Sequence, residues 1–227
     1  MNEGTKIKEL VQTLNHHRHA YYNLNVPEIS DVEYDRMYDQ LKKLEAETGI
    51  IYSNSPTQTV GYPPVSELKK VPHPHPLLSL DKTKQVTDLC RFCGSHAALL
   101  MLKLDGLTVK LTYENGRLKE AATRGDGETG EEITHNIPAF ENVPLTVAYK
   151  ERLVVTGEAF IHKKDFERLN TTLRDRNGEP YKNARNLAAG SVRSLDPENC
   201  KGRCVTFLPF NVLEGLDEGE NSNSREE

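Results

Sequence analysis

The sequence predicts an α+β fold, with a helical hairpin leading into a mostly antiparallel sheet. Three observations carry that prediction. Apolar residues recur at helical spacing through the first fifty positions, the period switches to two after a proline-rich stretch, and an Asn-Gly pair joins two of the alternating runs. Turn-linked strands of this kind argue against a doubly wound parallel sheet.

Element by element, Ile7, Leu10, Val11, Leu14 and Tyr21 form one buried stripe of a first helix. Asn23-Leu24-Asn25-Val26-Pro27 interrupts it. Ser30-Asp31-Val32-Glu33 then reads as a capping box, in which the hydroxyl and the carboxylate satisfy orphan N–H groups at the start of a second helix. That helix carries Tyr34, Met37, Tyr38, Leu41 and Leu44 on one face and stops near Thr48-Gly49. Residues 52–76 are rich in Pro, Ser, Thr and Gly and hold the expected domain boundary. Leu107, Val109, Leu111 and Tyr113 alternate with Thr108, Lys110 and Thr112, the pattern of a half-buried strand. Asn115-Gly116 suits a type I′ turn into a returning strand over 117–123, because both central residues of that turn need positive φ. A strand over 152–161, a short helix over 163–170, a helix over 186–195 and a last strand over 205–213 complete the expectation.

Composition narrows the function class. The chain has 227 residues, an apolar fraction of 36% and a mean hydropathy of −0.64, lean for a globular protein but above the disordered range. Its apolar runs, such as 97–102, are far shorter than the roughly 20 residues of a membrane helix. The first residues show no apolar core with a small-residue cleavage site, so the expected location is cytoplasmic. Net charge is −5, yet residues 211–227 hold six acids and one base, which leaves 28 bases against 28 acids elsewhere. Any nucleic-acid affinity must therefore come from a local patch. Residues 163–193 supply one, with eight bases against four acids. The four cysteines are too few for a disulfide scaffold.

The tetrapeptide Lys103-Leu104-Asp105-Gly106 is the most informative motif. On a strand, Lys103 and Asp105 would share a face, and the glycine would let a ligand approach. A lysine beside a carboxylate suits nucleophilic attack once its amine is deprotonated. Taken alone, the four residues favour a surface lysine paired with an aspartate, since such tetrapeptides arise often by chance. Their company is what weighs: Tyr21-Tyr22, the run from Pro27 to Asp35, Ser55-Pro56-Thr57-Gln58, Leu78-Ser79-Leu80-Asp81, the run from Ala122 to Glu131, Thr156-Gly157-Glu158 and the run from Asn183 to Arg193.

In unbroken order over about residues 5–212, these blocks closely resemble the N-terminal part of bacterial NAD-dependent DNA ligases. The resemblance implies a ligase-type nucleotidyltransferase subdomain, in which Lys103 attacks the α-phosphate of NAD, releases nicotinamide mononucleotide and becomes adenylated. Asp105 would orient that lysine or a magnesium ion. Arg124 and Glu158 would touch the adenosine, Glu158 accepting from a ribose hydroxyl, and Ser79 and Leu80 would line the nucleotide pocket. Arg185 and Arg193 would face phosphates, for which a planar five-donor fork is suited. The hairpin resembles the module that grips the nicotinamide mononucleotide half, with Tyr21, Tyr22, Asp31, Tyr34 and Asp35 at its contact positions. Tyrosines can stack on the flat ring and carboxylates can balance its charge. Tyr38, by contrast, reads as hairpin packing.

Some positions depart from the family pattern. Met101 stands where a glutamate is common, Thr156 where an arginine precedes Gly-Glu, and Ala184 where a proline precedes Arg185. The later nucleotidyltransferase motifs, with their lysines, and the DNA-binding modules of the family are not found in this sequence. Adenylation is therefore expected to be weakened and nick sealing absent for this chain alone, with nicked DNA a weak partner. The alternative is a non-catalytic NAD- or partner-binding remnant of a ligase.

Two competing motifs carry less weight. Gly125-Asp126-Gly127-Glu128-Thr129-Gly130 matches GxGxxG, the mark of a Rossmann oxidoreductase, but follows an apparent hairpin and would crowd a pyrophosphate with acids. Cys90/Cys93 and Cys200/Cys204 could be assembled into a zinc site, yet more than a hundred residues separate the pairs, and reduced thiols are the simpler reading. His16, His17 and His19 fall at the end of the first helix without evident metal partners, while His73 and His75 fall in a proline-rich loop and are expected to be solvated. The expected division is a nucleotide-binding hairpin and linker over 1–68, a nucleotidyltransferase part over 69–213, and an acidic, disordered tail over 214–227.

Overall fold

A computed structural model describes residues 3–21, 27–58, 67–78, 83–175 and 177–216. Helix α1 (Glu3–His19) buries Ile7, Val11 and Leu14 of the expected stripe together with Arg18, while Leu10 is partly buried and Tyr21 lies beyond the helix. Helix α2 (Asp31–Thr48) starts at the predicted capping box: Glu33 donates its N–H to Ser30 Oγ, while Ser30 N donates to the Glu33 carboxylate at 3.1 Å. These hydrogen bonds hold the Glu33 carboxyl below its ordinary pKa. Gly49 ends the helix at φ +69°, a left-handed cap that costs glycine little. The two helices enclose a small core of Ile7, Val11, Leu14 and Leu41, against which Tyr34, Met37, Tyr38 and Tyr52 pack. Within α2, Glu45 is buried and accepts from Ser55 Oγ and Thr57 Oγ1, each at 2.6 Å, fastening Ser55-Pro56-Thr57 beyond the helix to the hairpin.

The main sheet has the order β3-β2-β5-β6, with every neighbouring pair antiparallel. Its strands are β2 (Leu107–Glu114), β3 (Arg117–Thr123), β5 (Leu153–Ile161) and β6 (Val205–Glu214). Asn115 and Gly116 make the predicted tight turn with φ of 53° and 71°. Helices α4 (Lys163–Leu169) and α5 (Ala184–Val192) follow β5. Leu187, Ala188 and Val192 of α5 close the core over Val109, Leu111, Ala159 and Phe207. The sequence pattern starts α5 two residues late because the N-cap lies upstream, at Asn183, whose side chain accepts from Asn186 N.

Several elements differ from expectation. A second, two-stranded sheet joins β1 (Lys70–Pro72) to β4 (Thr129–Glu131), both too short to show a period. Helix α3 (Val86–Cys93) has no buried residue, and Val86, Leu89 and Phe92 are exposed. Strand β2 is not half-buried, because Lys110 and Thr112 are covered as thoroughly as Val109 and Leu111. Residues 101–105 lie outside any strand, so Lys103 and Asp105 occupy an irregular lead-in to β2. His73 is buried rather than solvated. At the C-terminal side, β6 runs to Glu214 and Leu216 packs against the core, so the expected tail starts too early; residues 217–227 lie outside the described residues. No described helix is long and apolar enough to cross a membrane.

Candidate functional site

Four stretches distant in sequence meet where the chain enters β2. Asp105 accepts a hydrogen bond from Arg185 Nη1 at 2.8 Å; its side chain is 63% exposed, whereas that of Arg185 is 18% exposed. Arg185 is the second residue of α5, and its guanidinium carbon lies 4.9 Å from the centroid of the Tyr21 ring, a cation–π distance. One arginine thus links the lead-in to β2 with the residue just beyond α1. Ala184, where relatives of the family pattern carry proline, is the first helical residue of α5, a position that accepts either residue.

The next residue in the lead-in is fixed from the other side. Gly106 donates its N–H to Glu158 Oε1 at 3.0 Å, and Thr108 Oγ1 donates to Oε2 at 2.9 Å. Strand register sets this geometry, because Thr108 is paired with Glu158 across β2 and β5. Each Glu158 oxygen accepts one of these bonds and keeps further lone-pair capacity for a ligand hydroxyl. The glycine itself is explained by strand packing rather than by ligand approach, since a Cβ at Gly106 would sit 2.1 Å from the Ala159 carbonyl oxygen. Lys103 is exposed and lies two residues upstream of Asp105, within about 7 Å along the chain.

The remaining predicted residues divide into separate groups. Arg193, at the C-terminal end of α5, does not join Arg185. Its Nε and Nη2 donate to the two oxygens of Glu131 at 2.6 and 3.0 Å, a bidentate pair in which the side chains are 9% and 3% exposed. Lys70 approaches the same carboxylate at 3.6 Å. Arg124 follows β3, donates its N–H to the Thr108 carbonyl at 3.0 Å and is partly buried. Asp31 lies in the first turn of α2 and lines an open cleft with Pro27, Glu28, Lys182 and Asn183. Lys182 Nζ bonds the Pro27 carbonyl across that cleft. Asp35 faces a different surface, beside Arg36, Asp39 and Lys84. Tyr34 stacks on Tyr38 with ring centroids 6.4 Å apart, so both tyrosines pack the hairpin. Tyr22, Ser79 and Leu80 lie outside the described residues.

Two buried polar groups near the site escape sequence reasoning. Lys110 is 5% exposed on β2, opposite Thr156, and its amine is 3.3 Å from Glu120. Nothing in an alternating strand pattern distinguishes such a lysine from a solvated one. His73 is 7% exposed, with Nε2 3.1 Å from the Thr123 carbonyl and 3.2 Å from that of Arg124. Burial lowers its pKa first, and the Lys110 charge lowers it further. As a neutral ring it donates from Nε2 and braces the start of the loop that follows β3.

That loop disposes of the Rossmann alternative. Asp126 Oδ1 accepts from the N–H groups of Glu128 and Thr129, making a turn between β3 and β4 with no parallel strand and no helix at its end. Nor are the cysteine pairs assembled: Cys90 and Cys93 sit on α3, while Cys200 is buried in the main core and its thiol is pushed up to about 11 by desolvation.

An α+β sheet domain preceded by a helical hairpin, with a carboxylate-arginine pair and a strand-borne glutamate at their junction, is a class of fold suited to a phosphorylated, hydroxyl-rich ligand. Comparison with known families makes the class specific. Residues 65–226 match the family model of the NAD-dependent DNA ligase adenylation domain, and residues 1–61 match that of the DNA ligase-like, N-terminal NAD+-binding domain. The chain is 46% identical over 219 residues to a DNA ligase of Ruminiclostridium cellulolyticum, covering 96% of this chain and 33% of that protein. It is 45% identical over 208 residues to a DNA ligase of Lachnoclostridium phytofermentans, covering 92% and 32% respectively. This chain belongs to the NAD-dependent DNA ligase family, and it spans about a third of the length of these relatives.

Proposed function

We propose that this chain binds NAD and carries the self-adenylation half-reaction of its family. The observation that carries the reading is the convergence of Asp105, Gly106, Glu158, Arg185 and Tyr21 around the segment that bears Lys103. The Lys103 amine forms a bond to the α-phosphorus as the bond to the nicotinamide mononucleotide phosphate breaks, and the amine loses a proton. Arg185 is placed to hold a phosphate in exchange for Asp105, Glu158 to accept from a ribose hydroxyl, and Tyr21 to cover the nicotinamide half together with Tyr22 and Asp31, while Tyr34 packs the hairpin and Asp35 lies on a separate surface. Arg124, Ser79 and Leu80 complete the adenosine side. Arg193 acts through Glu131, holding α5 rather than the ligand.

Magnesium fits as a companion of the nucleotide's phosphates, since the exposed Asp105 carboxylate is a hard oxygen donor of the kind it prefers. It would neutralise phosphate charge there. The boundary between a hairpin-and-linker unit over 1–68 and a sheet unit from 69 onward accords with the two separate cores, although Leu68 already packs with the second. Nicked DNA is a partner of the longer family members, and its contribution here rests on the weak basic patch of residues 163–193.

Intact-mass spectrometry after incubation with NAD and magnesium tests the reading. An added AMP that disappears in Lys103→Ala supports transfer. A second reading, NAD binding without transfer, is favoured by the exposure of Lys103. It predicts saturable NAD binding by calorimetry with no adduct. Nick sealing is expected to be absent when the adenylated chain alone meets nicked duplex.

A further inference from the structure

The end of α1 and Glu28, three residues ahead of α2, bring together three side chains that the adenylation reading does not use. His16 Nε2 lies 2.7 Å from Glu28 Oε2, and His17 Nδ1 lies 3.3 Å from the same oxygen. All three ligating atoms fall within 4.8 Å of one another. The two rings meet edge to face, with centroids 5.3 Å apart. His17 is the more enclosed, with a side chain 14% exposed, and its Nδ1 is shielded from solvent with no hydrogen-bond partner. A buried imidazole nitrogen aimed at a carboxylate oxygen outside hydrogen-bonding geometry has an unmet demand that a cation between them would satisfy.

We propose that His16, His17 and Glu28 form a binding site for a divalent transition-metal ion, with zinc the preferred occupant. Tetrahedral zinc with bonds near 2.0–2.1 Å places its ligand atoms about 3.3 Å apart, the His17–Glu28 separation found here, and the 2.7 Å His16–Glu28 hydrogen bond would open by about half an ångström to admit the ion. Two imidazoles and one carboxylate favour zinc over magnesium, which demands an oxygen shell. Three protein ligands leave a fourth position open to water or to an anionic ligand. The ion would cross-link the last turn of α1 to Glu28, whose neighbour Pro27 is held by Lys182. Occupancy therefore stiffens the passage between the two helices next to Tyr21, without touching the amine of Lys103.

The test is a zinc titration of untagged full-length chain in competition with a chromophoric chelator, followed by zinc X-ray absorption. The expected result is one equivalent bound in the low-micromolar range or tighter, an imidazole-containing shell without sulfur, and a rise in melting temperature on zinc addition. Binding should be lost in His17→Gln and Glu28→Gln and retained in the Cys90→Ser/Cys93→Ser double variant. The exposed His16→Ala variant removes a ligand outside the hairpin core, so its loss of zinc with an unchanged metal-free melting temperature separates ligation from folding. Sulfur in the shell, affinity unaltered in all three ligand variants, or no zinc uptake would each overturn the proposal.

Discussion

Arg185 and Arg193 bracket the same short helix, yet they live in different physical worlds. At the C-terminal end, Arg193 and Glu131 exclude water and bind in two-pronged fashion. At the N-terminal end, Arg185 meets a carboxylate that is 63% exposed through one nitrogen, with an aromatic ring beside it. A buried pair is costly to split, because the surviving charge stays desolvated, whereas an open pair exchanges partners with little penalty. The helix is thus anchored by a closed pair at one end and carries an open pair at the other. A motif containing two arginines does not by itself reveal that division of labour.

Breaking the closed end should produce the largest effect. Glu131→Ala removes the bidentate, buried carboxylate partner of Arg193 and is expected to cost about 3–5 kcal/mol in urea denaturation. If it costs no more than a surface change, the two ends are not distinct. Gly106→Ala asks whether the open end is rigid beneath its exposed side chains. Its Cβ would press on the Ala159 carbonyl, so a loss of about 1–3 kcal/mol and weaker NAD binding are expected.

Acid sharpens the comparison in a different way. The pKa of His73 is lowered on folding, so below the unfolded value of 6.5 the unfolded chain takes up a proton that the folded chain resists. Its contribution to stability is complete above that value and falls as pH drops from 6.5 toward the folded pKa. His73→Gln should flatten the stability profile in that window, measured by denaturation at a series of pH values. The smallest stability effect belongs to Arg185→Ala, where a double-mutant cycle with Asp105→Ala should give a coupling of about 0.2–1 kcal/mol. The same variant should nonetheless slow AMP transfer on the order of tenfold or more, through loss of a charge-assisted contact to phosphate. A large stability loss with unaltered transfer would reverse the assignment of the two ends.

The long elements were readable because their signals are local. The Ser30–Glu33 box, the Asn115-Gly116 turn and the alternation in β2 each lie within a few residues of one another. What escaped depends on distant partners. Three-residue β1 and β4 exist because they pair with each other, and His73 is buried against the carbonyls at the end of β3, those of Thr123 and Arg124. Lys110 hides on a face whose neighbours come from β3 and β5. For the site, the residue types were legible through the family resemblance, but the grouping was not: Arg193 parted from Arg185, and Lys103 sits ahead of the strand instead of on it.

The clamp of Glu45 on Ser55 and Thr57 sets the length of a leash. Because the chain stays fastened to the hairpin as far as Thr57, the span from Gln58 to Glu67 is what tethers one unit to the other. Whatever path residues 59–66 follow, that span reaches at most about 30 Å. So short a tether holds the hairpin at an effective concentration of order millimolar around the sheet unit, so that a ligand touching both would meet them as a pair.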